Sequence, residues 1–236
     1  MSIAENIAHI RENINRAALA AGRNPKDITL CAATKMNDAD AVRQAIAGGV
    51  DCCGENRVQE LTQKLSQDAY RGAPVHFIGH LQTNKVKQVV GKVDLIQSVG
   101  SLRLLEAINK EAARQGIIQD ILLEVNIGRE ESKSGFLAEE LPTVMDNFSC
   151  FRSICLRGLM AIPPIQQKTG DNDKFFQEMC NLSVDITAKK DDNVSMGILS
   201  MGMYDDYAEA IASGSTMIRI GTAIFGPRSY AKPHQQ

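Results

Sequence analysis

The sequence predicts an α/β fold, a single (β/α)8 TIM barrel with an extra N-terminal helix, taking residues 1–236 as one domain. Three observations predict it. Short apolar runs rich in β-formers alternate eight times with longer helix-periodic segments. The chain's 236 residues lie close to the roughly 250 typical of such barrels. No Pro-rich, Gly/Ser-rich or low-complexity stretch marks a domain boundary. The competing architecture, a doubly wound sheet, usually places a glycine-rich phosphate turn after its first strand, whereas here Thr34, Lys35, Met36, Asn37 and Asp38 follow.

Ile3, Ile7, Ile10, Ile14 and Leu19 recur near helical spacing and predict an amphipathic helix over 4–21, stopped by Gly22 and Pro25. Apolar runs then place strands at 28–35, 50–55, 75–81, 95–99, 120–127, 156–162, 194–200 and 217–220. Helical periodicity fills the intervals at 39–47, 57–67, 84–90, 102–115, 138–147, 173–190 and 205–213. Asp205 and Asp206 read as the start of the last of these, where acids favour the helix dipole.

Composition narrows the function. Lys plus Arg is 26 against 28 Asp plus Glu, a net charge of −2, without the basic excess of a nucleic-acid binder. No Trp and 5% aromatics leave little for base stacking. The first 19 residues lack the apolar stretch of an export signal, and no run approaches the roughly 18 apolar residues of a membrane span. Cys31, Cys52, Cys53, Cys150, Cys155 and Cys180 contain no C-x-x-C pair and are expected as reduced, mostly core thiols in a cytoplasmic protein.

Barrel active sites lie at the C-terminal ends of the strands, and polar residues crowd there. Lys35 ends an apolar strand, where desolvation and cations such as Arg57 or Arg219 would favour a nucleophilic amine able to form a Schiff base with an aldehyde. The alternative is a lysine reaching solvent. Ser200-Met201-Gly202 and Gly221-Thr222-Ala223 follow the seventh and eighth strands, the recurrent phosphate position of these barrels, or else they serve only as tight turns. Arg219 alternates with Ile218 and Ile220, so it faces inward toward a ligand or toward a structural partner such as Glu55. His76 and His80 share a strand face without a third ligand, and no metal site is expected.

These residues carry a resemblance. Ala33-Thr34-Lys35, the run from Gly54 to Glu60, the run from His76 to Lys85, Ser132-Lys133-Ser134-Gly135, Arg157-Gly158-Leu159-Met160, Leu199 to Met203 and Ile218 to Gly226 resemble, in order, the YggS family of pyridoxal 5′-phosphate homeostasis proteins. That family is similar to the barrel domain of alanine racemase. The resemblance implies pyridoxal phosphate as an imine on Lys35, beside Asn56, with phosphate held by Ser200, Met201, Gly221 and Thr222. It puts Arg219 on the pyridine nitrogen, where a guanidinium leaves that nitrogen neutral and weakens the electron sink.

The resemblance further implies a cytoplasmic monomer that is not an enzyme but supplies cofactor to apoenzymes, with no catalytic residues and no nucleic-acid or membrane partner. Only ten residues follow Gly226, too few for the second β domain that racemases use. A minimal amino-acid racemase is the alternative, and a barrel with a decayed site is a third. Tyr204 stands where the family commonly has a small residue, and no second lysine follows Lys35 directly. Lys133 is expected in a solvated loop, with contact to a second cofactor molecule as the functional alternative.

Overall fold

The computed structural model describes residues 1–188 and 191–226. Eight parallel strands close into a barrel in sequence order: β1 (Thr29–Ala33), β2 (Cys52–Glu55), β3 (Val75–Phe77), β4 (Leu95–Val99), β5 (Gln119–Val125), β6 (Ile154–Ala161), β7 (Val194–Ser200) and β8 (Met217–Ile220). The seam is closed by β8 against β1, with Cys31 opposite Arg219 and Ala32 opposite Ile220. The predicted barrel with its N-terminal helix is the one observed.

Around the strands lie α1 (Ile3–Ala20), α2 (Ala39–Ala47), α3 (Val58–Ser66), α4 (Leu102–Gln115), α5 (Leu141–Asp146), α6 (Asp173–Thr187), α7 (Tyr207–Ala212) and α8 (Thr222–Phe225). Helix α1 starts in a reciprocal cap, Glu5 N–H donating to Ser2 Oγ and Ser2 N–H to the Glu5 carboxylate. Its buried stripe of Ile7, Ile10, Ile14 and Ala18 packs beside α2, α7 and α8. Helix α8 is only one turn long, and α1 covers the outer wall it leaves bare, tied to it by Asn6 Nδ2 on the Ile224 carbonyl.

Two expected helices shorten. Over 84–90 the chain makes a 3-10 turn, Thr83–Gln88, running into Val89 and Val90; these and Val86 are stiff at χ1 and poor α-formers. Over 138–147 the chain makes a 3-10 turn, Ala138–Glu140, before α5. The third strand stops at Phe77 rather than 81, because Gly79 is pressed against Asn56: a Cβ there would sit 2.1 Å from the Asn56 carbonyl oxygen. Of the helix expected over 173–190, residues 189 and 190 lie outside the described residues.

Strand alternation divides the core in two. Outward residues such as Leu30, Ala32, Phe77, Ile96, Ile121 and Leu159 join the helices in one large cluster. Inward residues fill the lumen in two small ones, Cys31, Cys52 and Met217 on one side and Leu95, Leu122 and Met160 on the other. Polar inward residues separate these patches.

Candidate functional site

Lys35 follows β1 at the C-terminal mouth. Its backbone is fixed tightly: Thr34 N–H donates to the Gly54 carbonyl, Met36 N–H to the Glu60 carboxylate at 2.6 Å, and Asn37 Nδ2 to the Lys35 carbonyl at 3.0 Å. Met36 takes φ 62°, a left-handed conformation that a bulky side chain adopts only when its surroundings impose it. The Lys35 side chain is half-buried, and its amine has no hydrogen bond or ion pair among the described residues. Arg57 does not face it; that side chain is 66% exposed and pairs with Glu60.

What holds Lys35 and Asn56 in register is a buried charge cluster on the outer side of β1 and β2. Lys64, on α3, donates to Glu55 at 2.6 Å and to the Thr34 carbonyl at 2.7 Å. Thr34 and Tyr70 hydroxyls donate to the same Glu55 oxygen, while the other accepts from the N–H groups of Asn56 and Arg57. Glu55 is therefore committed here and is not the partner of Arg219. Burial, together with the Glu55 charge, pushes the Tyr70 hydroxyl well above its usual range.

Inside the lumen a different chain runs across the barrel. Arg219, buried, donates to Ser200 Oγ at 2.6 Å and to the Ala161 carbonyl at 2.9 Å. Ser200 passes its own proton to Gln97 Oε1 at 2.7 Å. The Gln97 amide donates to His76 Nδ1 at 2.9 Å and to Met217 Sδ at 3.1 Å. Burial lowers the Arg219 pKa, opposed by negative charge at Cys31 and Glu124. Beside His76, hydrogen bonding from Cys52 and then from His76 brings Cys31 down to about 5 against its burial, while the bond to Cys31 and burial push Cys52 up.

The β7 and β8 ends complete the mouth. Gly202 has φ 94°, and a Cβ would meet Ala210 at 2.6 Å, so this turn admits only glycine. The N–H groups of Gly202 and Gly221 make no hydrogen bond among the described residues. Those of Thr222 and Ala223, in the first turn of α8, have no partner within the helix. Met201 differs: its N–H is bound to the Met217 carbonyl and its side chain is buried, so it shapes the turn and offers no open donor. Asn56 Oδ1 is buried with no hydrogen-bond partner.

Other sequence candidates fall away from this mouth. His76 and His80 part company, His80 lying exposed on Ser134 while His76 faces the lumen. Lys133 ion-pairs with Glu130 and reaches the carbonyls of Ile162 and Pro163. Tyr204 is 62% exposed. Asp206 caps α7 with its carboxylate turned to Met203 N–H and Asn172. Gln97 and Glu124 were not singled out from the sequence, although each is polar in an apolar strand, the signal that marked Arg219.

Comparison with known proteins bears on this arrangement. The family described as alanine racemase, N-terminal domain, matches residues 6–229. A pyridoxal phosphate homeostasis protein of Aquifex aeolicus is 37% identical over 98% of this chain and 100% of its own length. A crystal structure of an unknown protein from Bifidobacterium adolescentis superposes with a TM-score of 0.89 at 35% identity, covering 94% of both chains. PipY of Synechococcus elongatus PCC7942, solved with pyridoxal phosphate bound, superposes with a TM-score of 0.82 at 29% identity, covering 95% of this chain and 100% of PipY.

Proposed function

The chain belongs to the pyridoxal phosphate homeostasis protein family, and on that premise we propose that it holds pyridoxal 5′-phosphate as a Schiff base on Lys35 and hands it on to apoenzymes in a cytoplasmic, monomeric form. The observation that carries this reading is Lys35 itself, a half-buried amine at the barrel mouth with no hydrogen bond or ion pair among the described residues. The residues fit the group. The unsatisfied Asn56 Oδ1 and the open N–H groups of Gly202 and Gly221 are polar sites that a phosphorylated ligand would satisfy.

Pyridoxal phosphate supplies an aldehyde that condenses with an amine, with loss of water. The protein's own groups divide the remaining work. Gly202, Gly221 and Thr222 present N–H donors to the phosphate, and Ser200 adds its hydroxyl by turning its proton away from Gln97. Arg219, with N–H groups beyond those given to Ser200 and Ala161, would face the ring nitrogen as a donor, which would leave that nitrogen neutral and disfavour carbanion chemistry. Asn56 lies beside the ring, fixed by Glu55 and Gly79.

Exchange without turnover is the reading supported by Tyr204, the tyrosine that follows the β7 turn in the chain, which is exposed and makes no hydrogen bond among the described residues that would poise it as a base. Six free cysteines accord with a reducing compartment, and no described helix is long and apolar enough to cross a membrane. Borohydride reduction after incubation with pyridoxal phosphate, followed by peptide mass mapping, tests the proposal. One adduct on Lys35, absent in Lys35→Ala, is expected; label scattered over surface lysines would overturn it. Loss of enantiomeric excess from an L-amino acid would move the reading to a racemase.

A further inference from the structure

The lumen below the mouth contains a second constellation that cofactor binding does not use. Cys31 on β1, Cys52 on β2 and His76 on β3 bring two sulfurs and one ring nitrogen within 4.8 Å of one another, all three side chains buried. On the other side the lumen is filled by Leu95, Leu122, Met160 and Ile198, so thiols and imidazole come together on three adjacent strands. Cys31 and Cys52 are opposite one another in the strand register, and their sulfurs face each other and His76. Met217 belongs to the same small cluster and brings a thioether, which accepts from the Gln97 amide at 3.1 Å.

We propose that Cys31, Cys52 and His76 form a binding site for a soft d10 cation, zinc(II) or copper(I), with Met217 as the neighbouring fourth donor. Two thiolates and an imidazole are the ligand set these ions select, and full burial of all three side chains is the setting of a structural rather than catalytic metal. Each thiol releases its proton to solvent as its sulfur–metal bond forms. Gln97 lies 2.9 Å from His76 Nδ1, and ligation through Nε2 requires its amide to turn over so that the amide oxygen accepts from Nδ1–H and orients the ring. Anionic sulfur beside Arg219 is compensated by the guanidinium, the residue opposite Cys31 across the β1–β8 seam. All three ligands lie between residues 31 and 76 on consecutive strands, so the site can load while that part of the barrel assembles.

The test uses the full chain expressed in medium supplemented separately with zinc, copper or cobalt, the last as a spectroscopic substitute for zinc. After exhaustive dialysis, elemental analysis is expected to give about one metal per chain, and the cobalt form is expected to show sulfur-to-metal charge transfer. Cys52→Ala should retain less than a tenth of that metal while still forming the borohydride-trapped adduct on Lys35. Met217→Leu should weaken copper retention more than zinc, which separates the two ions. X-ray absorption on the wild-type protein gives an answer independent of any variant: two sulfur neighbours at about 2.3 Å are expected. Metal below a tenth of an equivalent in all three arms, full retention in a folded Cys31→Ala/Cys52→Ala variant, or absence of sulfur neighbours would overturn the proposal. Loss of the Lys35 adduct with metal retained would strike at the cofactor reading instead.

Discussion

Two buried charged groups flank the mouth of this barrel, and they are treated in opposite ways. On the outer side of β2, both Glu55 oxygens are saturated by Lys64, Thr34, Tyr70 and the N–H groups of Asn56 and Arg57. In the lumen, Arg219 has two hydrogen bonds, to Ser200 and Ala161, and most of its N–H groups remain uncommitted. A saturated network can only hold its neighbours in place. An unsaturated one retains capacity for a ligand. The difference separates scaffold from site more cleanly than burial, since Glu55 and Arg219 are both buried.

Breaking the saturated side has the largest expected effect. Glu55→Ala strips Lys64, whose side chain is 5% exposed, of its nearer carboxylate and leaves only the longer pair with Glu60 at 3.5 Å. Removal of one partner from such a pair costs roughly 3–5 kcal/mol. Urea denaturation checks this, and Glu55→Gln/Lys64→Met, which removes both charges, is expected to recover most of the loss. A cost below about 1 kcal/mol for the single variant would mean that the cluster does not hold the mouth together.

The open side should yield less stability and more spectrum. Arg219→Gln loses charge-assisted hydrogen bonds to Ser200 and Ala161, worth about 1.5–3 kcal/mol. It also removes the donor proposed for the cofactor ring, so the visible absorption of the trapped or bound cofactor is expected to shift. An unchanged spectrum together with a stability loss as large as that of Glu55→Ala would place Arg219 in the scaffold.

The same contrast explains how much could be read in advance. Strand order, the N-terminal helix and the mouth positions of Lys35, Asn56, Ser200, Arg219, Gly221 and Thr222 follow from period-two alternation and from the rule that barrel sites lie at strand ends. Gln97 and Glu124 obey the same alternation and were legible as polar residues in apolar strands. What alternation cannot supply is partnership. Ser200 and Gln97 are 103 residues apart, and only barrel closure brings them together. Glu55 was weighed as the partner of Arg219, yet one residue of register puts it on the other face of the sheet, with Lys64. The 3-10 turn at Thr83–Gln88 likewise accords with the stiffness of Val86 and of the Val89-Val90 pair that follows it, which apolar spacing does not register.

Glu124 gives the smallest effect and the finest probe of the open side. It points from β5 toward the lumen without a hydrogen bond among the described residues, and burial raises its pKa while Arg219 partly restores it. A carboxyl with a raised folded-state pKa binds its proton more tightly folded than unfolded, so its contribution is fully present below the unfolded value and is lost as pH rises through the folded one. The wild type should therefore lose stability relative to Glu124→Gln between the ordinary carboxylate pKa and that raised value, and at pH 7 the variant should be at least as stable. Adding Arg219→Gln removes the opposing charge and should steepen the slope, by moving Glu124 further up. Denaturation curves across this pH window decide it: a flat difference, or one of opposite sign, would mean that Glu124 already has a partner and that the lumen is more nearly saturated than the Arg219 geometry indicates.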